Sequence, residues 1–458
     1  NNPDMTITFS AGNAGVDGDS DGFVDLDSMG SPATAKNVIT VGASENDRDG
    51  NWDCDASLSY TDCAAQGGQN IIFTYGTAWG SDYPANPIAG DPSAGNAEQL
   101  AAFSSRGPAD DGRIKPDVVA PGTWVLSGYV SLHQEEYDSS PDPLTGAYQY
   151  DGWGFPYNEH YKYMGGTSMS NPLTAGAAAV VRQYYADAHS LNASAALVKA
   201  TLINSAKDLL DENNDGVNDN DFPIPNNHEG WGLVNLAAAT DGSHQFVENT
   251  TGISTGGSAS YPYNISSGAF KVSLVWSDYP STETAAANLV NNLNLRVTAP
   301  GGQVYLGNVF SGGWSATGGS TDSVNNVENV YIQSAAAGTW TVEVIGSSIP
   351  QGPQPFALVV DSVSGEPVDT PPTVSITSPA NGATVAGMVS VTADASDDDA
   401  VTQVEFVVDG TSYVDTDGSD GWSISWDTTA NNDGSYIISA TATDTASQTG
   451  SDSISVTV

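Results

Sequence analysis

Apolar and polar residues alternate in two different ways along this chain, and the pattern changes near position 245. Before that point, short apolar runs are separated by polar loops and by longer Ala-rich stretches. Thr6-Ile7-Thr8-Phe9, Val38-Ile39-Thr40-Val41 and Val118-Val119-Ala120 read as buried strands, the last running into Pro121-Gly122. The stretch from 168 to about 185 predicts a helix with Leu173, Ala177, Val180 and Val181 on one face. A second helix is predicted over about 193–206, with Asn192 as its N-cap. Strands that feed helices imply a parallel sheet covered on its faces, an α/β arrangement.

After 245 the period shortens to two. Val272-Ser273-Leu274-Val275-Trp276, Leu293-Asn294-Leu295-Arg296-Val297 and Trp340-Thr341-Val342-Glu343-Val344 alternate along their length, with Gly and Pro turns between them. This predicts a β-sandwich or jelly roll. Trp276, Trp314 and Trp340 share that alternation and are expected in its core, not on a carbohydrate platform. Ser364-Gly365-Glu366-Pro367-Val368-Asp369-Thr370-Pro371-Pro372 reads as a stiff linker. The last stretch holds about seven short strand patterns, among them Val404-Glu405-Phe406-Val407-Val408 before Asp409-Gly410. Its size and rhythm fit an immunoglobulin-like sandwich without a disulfide. The expected domains are 1–242, 243–364, a linker at 365–372 and 373–458.

Charge changes the picture of partners. With 55 acidic against 11 basic residues the formal charge is −44, which excludes nucleic acid and anionic membrane surfaces as expected partners. Such a field also calls for salt or bound cations to screen it. No apolar run is long enough for a membrane span. The Gly-rich, Lys-poor composition has an extracellular tone, and Cys54 and Cys63 are expected to form a local disulfide if the protein is exported.

Candidate chemistry concentrates in three segments. Gly165-Gly166-Thr167-Ser168-Met169-Ser170-Asn171-Pro172 opens the long predicted helix, placing a serine where free backbone N–H groups favour developing negative charge. Ser10-Ala11-Gly12-Asn13-Ala14-Gly15 follows the first strand and supplies a side-chain NH₂ among small residues. Phe103-Ser104-Ser105-Arg106-Gly107-Pro108 and Lys115-Pro116-Asp117-Val118-Val119-Ala120-Pro121-Gly122 lie between the two.

In this order the segments resemble the subtilisin family of serine proteases. The resemblance implies Ser168 as nucleophile, with Asn13 and the Ser168 backbone N–H as oxyanion donors. It implies that Ser10, Ala11, Gly12, Gly166 and Thr167 bind a polypeptide substrate. Asn325-Asn326-Val327-Glu328-Asn329-Val330 and the stretch from Gly352 to Val360 resemble the C-terminal jelly roll of alkaline subtilases, so the likeness reaches about residue 364. The last 90 or so residues resemble bacterial immunoglobulin-like modules.

The family's aspartate and histidine motifs are absent. His133, His160, His189, His228 and His244 all lie in other contexts. The family order of Asp, then His, then Ser leads to the expectation of a C-terminal portion whose upstream half carries both missing residues and acts as its partner. Alone, this chain is then expected to be inactive. The leading expectation is a secreted endopeptidase. The rival is a non-catalytic extracellular adhesion or surface protein on a degenerate scaffold.

Two further segments share a template. Asp17, Asp19, Asp21, Phe23, Asp25 and Asp27 surround Gly22, and Asp211, Asn213, Asp215, Val217, Asp219 and Asp221 surround Gly216 position for position. Oxygens at positions 1, 3, 5 and 9, a glycine at 6 and a backbone carbonyl at 7 suit a hard cation, so structural calcium is the expected cofactor.

Overall fold

The β-branched residues Ile39, Val41, Val118 and Val119 lie in a parallel sheet, where side chains are covered on both faces. In the computed structural model, which describes residues 4–47, 51–52, 69–70, 74–128, 155–156, 161–362, 372–396, 401–418, 421–444 and 448–458, this sheet has the order β1 (Thr8–Ser10), β2 (Ile39–Ser44), β5 (Val118–Pro121). A short ladder, β3 (Asn51–Trp52) with β4 (Gln69–Asn70), and the helix α1 (Tyr75–Ala78) lie between β2 and β5. Beyond β5, the strand β6 (Val125–Gly128) pairs with β8 (Tyr161–Met164), which also pairs with β7 (Phe155–Pro156). Cys54, Cys63, His133 and His160 lie outside the described residues, as does most of the Tyr-, Trp- and Pro-rich stretch at 129–163.

Helix α2 (Thr167–His189) packs on the sheet through Thr174, Ala177, Ala178, Val181 and Tyr185. The expected face is corrected in part. Leu173 and Val180 are 45% and 44% exposed, because the buried stripe runs about one residue further round the helix and uses the small side chains. Helix α3 (Ala195–Asn204) is capped by Ser194, whose hydroxyl accepts from the Leu197 N–H at 3.1 Å, and not by Asn192. Asn192 instead accepts from Arg182. The short α4 (Leu236–Ala239) follows.

The next strands form two antiparallel sheets. One has the order β10 (Ser258–Ile265), β16 (Gly338–Ser348), β12 (Asn292–Thr298), β13 (Val304–Ser311), β14 (Trp314–Thr317). The other runs β15 (Val327–Ala335), β11 (Gly268–Val275), β17 (Gln354–Ser362), β9 (His244–Ile253). Their facing side chains, with Trp276 and Trp340 fully buried, make a sandwich core. Trp314 is half-buried against the neighbouring core. That core is shared, since Val181, Leu202 and Ile203 of the helices join Val275, Tyr331 and Val359 of the sandwich. Residues 1–365 accordingly form one compact unit, and 366–458 form another.

The second unit carries the sheets β18 (Thr373–Ser378), β19 (Met388–Ser396), β22 (Trp422–Asp427) and β21 (Thr411–Asp415), β20 (Val401–Val408), β23 (Ser435–Asp444), β24 (Thr449–Thr457). Val391, Phe406, Trp426 and Ile438 fill its core.

Candidate active site

The chain leaves β1 at Ser10 and turns through Ala11 and Gly12 to Asn13. Ala11 extends the ladder, its N–H donating to the Val41 carbonyl at 2.8 Å, and its methyl is buried with Met29 and Ala33. A substrate would therefore meet its backbone, not its side chain. Gly12 has φ +109, and a Cβ there would lie 2.8 Å from the Ser105 hydroxyl, so only glycine suits the turn. Ser105 clamps both flanks of Asn13. Its N–H donates to the Gly12 carbonyl at 2.9 Å, and its hydroxyl accepts from the Ala14 N–H at 3.0 Å. This serine had no assigned role in the sequence, although it lies in a quoted segment.

The start of α2 arrives at the same place. Gly166 donates to the Gly122 carbonyl at 2.7 Å, which fastens the helix start to the end of β5. The Thr167 N–H and hydroxyl both donate to Asn13 Oδ1 at 2.9 Å, while the hydroxyl accepts from the Gly12 N–H at 3.3 Å. An N–H can only donate, so the atom facing it is the oxygen, and the Asn13 NH₂ is the free end. It lies over Gly166, where a Cβ would come within 3.2 Å of Nδ2.

Ser168 stands exposed in the first turn of α2, next to Thr167. The hydroxyl of Thr167 is committed to Asn13 and that of buried Ser170 to the Thr167 carbonyl at 3.0 Å. The first-turn N–H groups lack intrahelical acceptors. Pro172 has no N–H, so the bond that would otherwise reach the Ser168 carbonyl is missing.

The described histidines are all engaged elsewhere. His189 lies at the far end of α2, about 32 Å along the helix axis. His228 stacks on Phe222 with ring centroids 4.4 Å apart, and burial, then Arg106, pushes it down to about 3. His244 belongs to β9, where burial lowers it despite Asp361 and Asp241.

The two acidic loops fold alike. In the first, Asp17 accepts from the N–H groups of Asp21 (3.0 Å) and Gly22 (3.1 Å), and Asp21 accepts from Phe23 at 2.9 Å. In the second, Asp211 accepts from Asp215 (3.2 Å) and Gly216 (3.1 Å), and Asp215 from Val217 at 2.8 Å. Gly22 and Gly216 both have positive φ. Carboxylate oxygens of Asp17, Asp19 and Asp21 gather within 4.8 Å of one another, as do those of Asp215, Asp219 and Asp221. Asp25 accepts from Gly18 at 2.8 Å, Asp27 lies past the turn with φ +64, and Asn213 accepts from Asp215 at 3.0 Å. Phe23 and Val217 are exposed. Burial, then Asp215, pushes Asp211 up to about 6.

Beneath these loops lie acids that the sequence did not single out. Glu45, after β2, accepts from the Tyr75 hydroxyl at 2.7 Å and is raised well above the usual range by burial, then Asp91. Asp208, Glu212 and Glu229 form a separate group.

Comparison with known proteins gives these features a setting. A bacterial Ig domain model matches residues 372–456. The serine protease/ABC transporter B family protein tagD of Dictyostelium discoideum is 28% identical over 452 residues, covering 80% of this chain and 23% of that protein. Bacillopeptidase F of Bacillus subtilis is 31% identical over 150 residues, 32% of this chain and 8% of that one. The minor extracellular protease Vpr of the same organism is 32% identical over 143 residues, 31% and 14%. The chain thus spans less than a quarter of the length of these curated relatives. The Peptidase S8 subtilase model matches residues 1–232, just over half of the sequence, and the chain therefore belongs to the subtilase family of serine proteases.

Proposed function

We propose that this chain carries the nucleophile and oxyanion half of a secreted, calcium-stabilised serine endopeptidase. The observation that carries the reading is the pair of hydrogen bonds that the Thr167 N–H and hydroxyl donate to Asn13 Oδ1, which turns a free NH₂ toward the start of the helix that carries the exposed Ser168. The Ser168 hydroxyl attacks the scissile carbonyl carbon while a histidine base, itself held by an aspartate, takes its proton. The resulting oxyanion is stabilised by Asn13 Nδ2–H and the Ser168 backbone N–H. Collapse expels the amine, which leaves with that proton, and water then hydrolyses the acyl ester. Ser10, Ala11, Gly12, Gly166 and Thr167 line the approach. The family's histidine and aspartate motifs do not occur in this sequence, and on this reading the chain alone is expected to be inactive. Secretion is supported by the charge balance and by the extracellular relative. The sandwich at 243–364 is read as the jelly-roll accessory domain of the alkaline branch.

Asn13→Ala, in the enzyme expressed from its full reading frame, should lower kcat by about 10²–10³ with little change in KM, a size carried over from subtilisin itself. Steady-state kinetics on a chromogenic peptide checks it. No hydrolysis by the parent enzyme would favour the non-catalytic surface role instead.

The loops built on Asp17 and Asp211 supply only oxygen donors, which fit calcium and suit neither zinc nor copper. The bound ion would relieve repulsion among the acids and hold the segment that follows Asn13. Chelation should therefore lower the unfolding temperature reversibly, with calcium restoring it in scanning calorimetry. An unchanged transition would remove calcium from the reading.

A further inference from the structure

Asp208, Glu212 and Glu229 each offer a carboxylate oxygen within 4.8 Å of the others. Glu212 occupies position 2 of the second acidic loop, where the first loop has Gly18, and its side chain belongs to this inner group. It is 1% exposed, and neither of its oxygens has a hydrogen-bond partner. The other two carboxylates are held in place. Glu229 accepts from the Leu209 N–H at 3.1 Å and from Asn226 Nδ2 at 3.2 Å. Asp208 accepts from Asn220 Nδ2 at 2.8 Å and from the Ile224 N–H at 3.2 Å.

An unanswered buried carboxylate is costly, and three in one place repel one another. Arg106 is buried near Glu229 and Glu212, and Lys271 acts on Asp208, yet none of the three acids makes an ion pair within 4.0 Å among the described residues. We propose that Asp208, Glu212 and Glu229 hold a hard divalent cation of the calcium type in the interior, at a site distinct from both surface loops. Carboxylate oxygens that can converge in this way suit a hard cation that takes several oxygen ligands in flexible geometry, as calcium does. The all-oxygen donor set excludes soft metals. Such an ion would join the 208–212 turn to the segment at Glu229, where Gly230 packs so closely on the Pro116 carbonyl that a Cβ would lie 1.9 Å from it.

The proposal does not depend on the loops binding calcium, and the test keeps the two apart. Calcium bound per chain is counted by equilibrium dialysis in a background carrying Asp17→Ala and Asp215→Ala, with circular dichroism to confirm folding. Adding Glu212→Gln should remove one further calcium per chain, and Glu229→Gln should do the same. An equal count in either folded variant overturns the site. So does a Glu212→Gln chain that unfolds at a higher temperature than its parent in saturating calcium, since the group would then be a source of repulsion only. A full complement in the Asp17→Ala, Asp215→Ala background speaks against the loops and leaves the inner difference to decide this site.

Discussion

Ser168→Ala should lower kcat for peptide hydrolysis about 10⁶-fold in the enzyme expressed from its full reading frame, the size being carried over from subtilisin's own serine. The specificity of the effect is what the structure adds. Three hydroxyls crowd the first turn of α2, but that of Thr167 serves Asn13 and that of Ser170 serves the Thr167 carbonyl. Only Ser168 presents a hydroxyl to solvent. Ser170→Ala should therefore keep kcat within a few-fold of the parent. A Ser168→Ala enzyme that retains a tenth of its rate would end the peptidase reading of this site.

The second large effect concerns stability. Asp117 precedes β5 and takes two ammonium groups, Lys115 Nζ at 2.6 Å on Oδ2 and Lys199 Nζ at 2.7 Å on Oδ1. Oδ2 also accepts from the Thr40 N–H at 2.8 Å, so one carboxylate joins β2, β5 and α3. All three charged residues are buried. Asp117→Ala would strand two cations and should cost about 3–5 kcal/mol, measured by urea denaturation at pH 7. A loss under 1 kcal/mol would show that the pair is dispensable.

Burial alone would raise Asp117 and lower both lysines, but at these contact distances the two ammonium groups prevail and hold the carboxyl below its usual range. Its folded value therefore lies below the unfolded one, about 3.9. The stabilisation is fully present above that unfolded value and drains away as pH falls through the folded one. The parent should lose this increment in acid, and Asp117→Ala should lack that part of the acid transition.

Where the sequence was readable, the reason is local. The Gly165–Pro172 and Ser10–Gly15 segments announce themselves by runs of glycines and small side chains, although their backbone groups bond to distant partners, and the two acidic loops repeat one set of short-range bonds. Ser105 was less visible because its two bonds flank Asn13, some 90 residues away. Glu212 escaped because the loop template counts alternate positions, and only the approach of Asp208 and Glu229 gives position 2 a meaning. The helix face was placed one residue off because Leu and Val outweigh Ala and Thr in hydropathy, although a flat sheet surface accepts the smaller side chains more closely.

Among the described residues strand β1 lies at the end of its sheet order, with Phe9 exposed on it and Met5 and Ile7 exposed just before it. An outer strand of that kind offers a row of peptide groups ready to accept another extended segment. At low ionic strength the 44 excess negative charges keep like molecules apart. Once counter-ions screen them, concentrated samples of this chain on its own are expected to associate through this strand more readily than in dilute, low-salt buffer, which light scattering at the two salt levels checks.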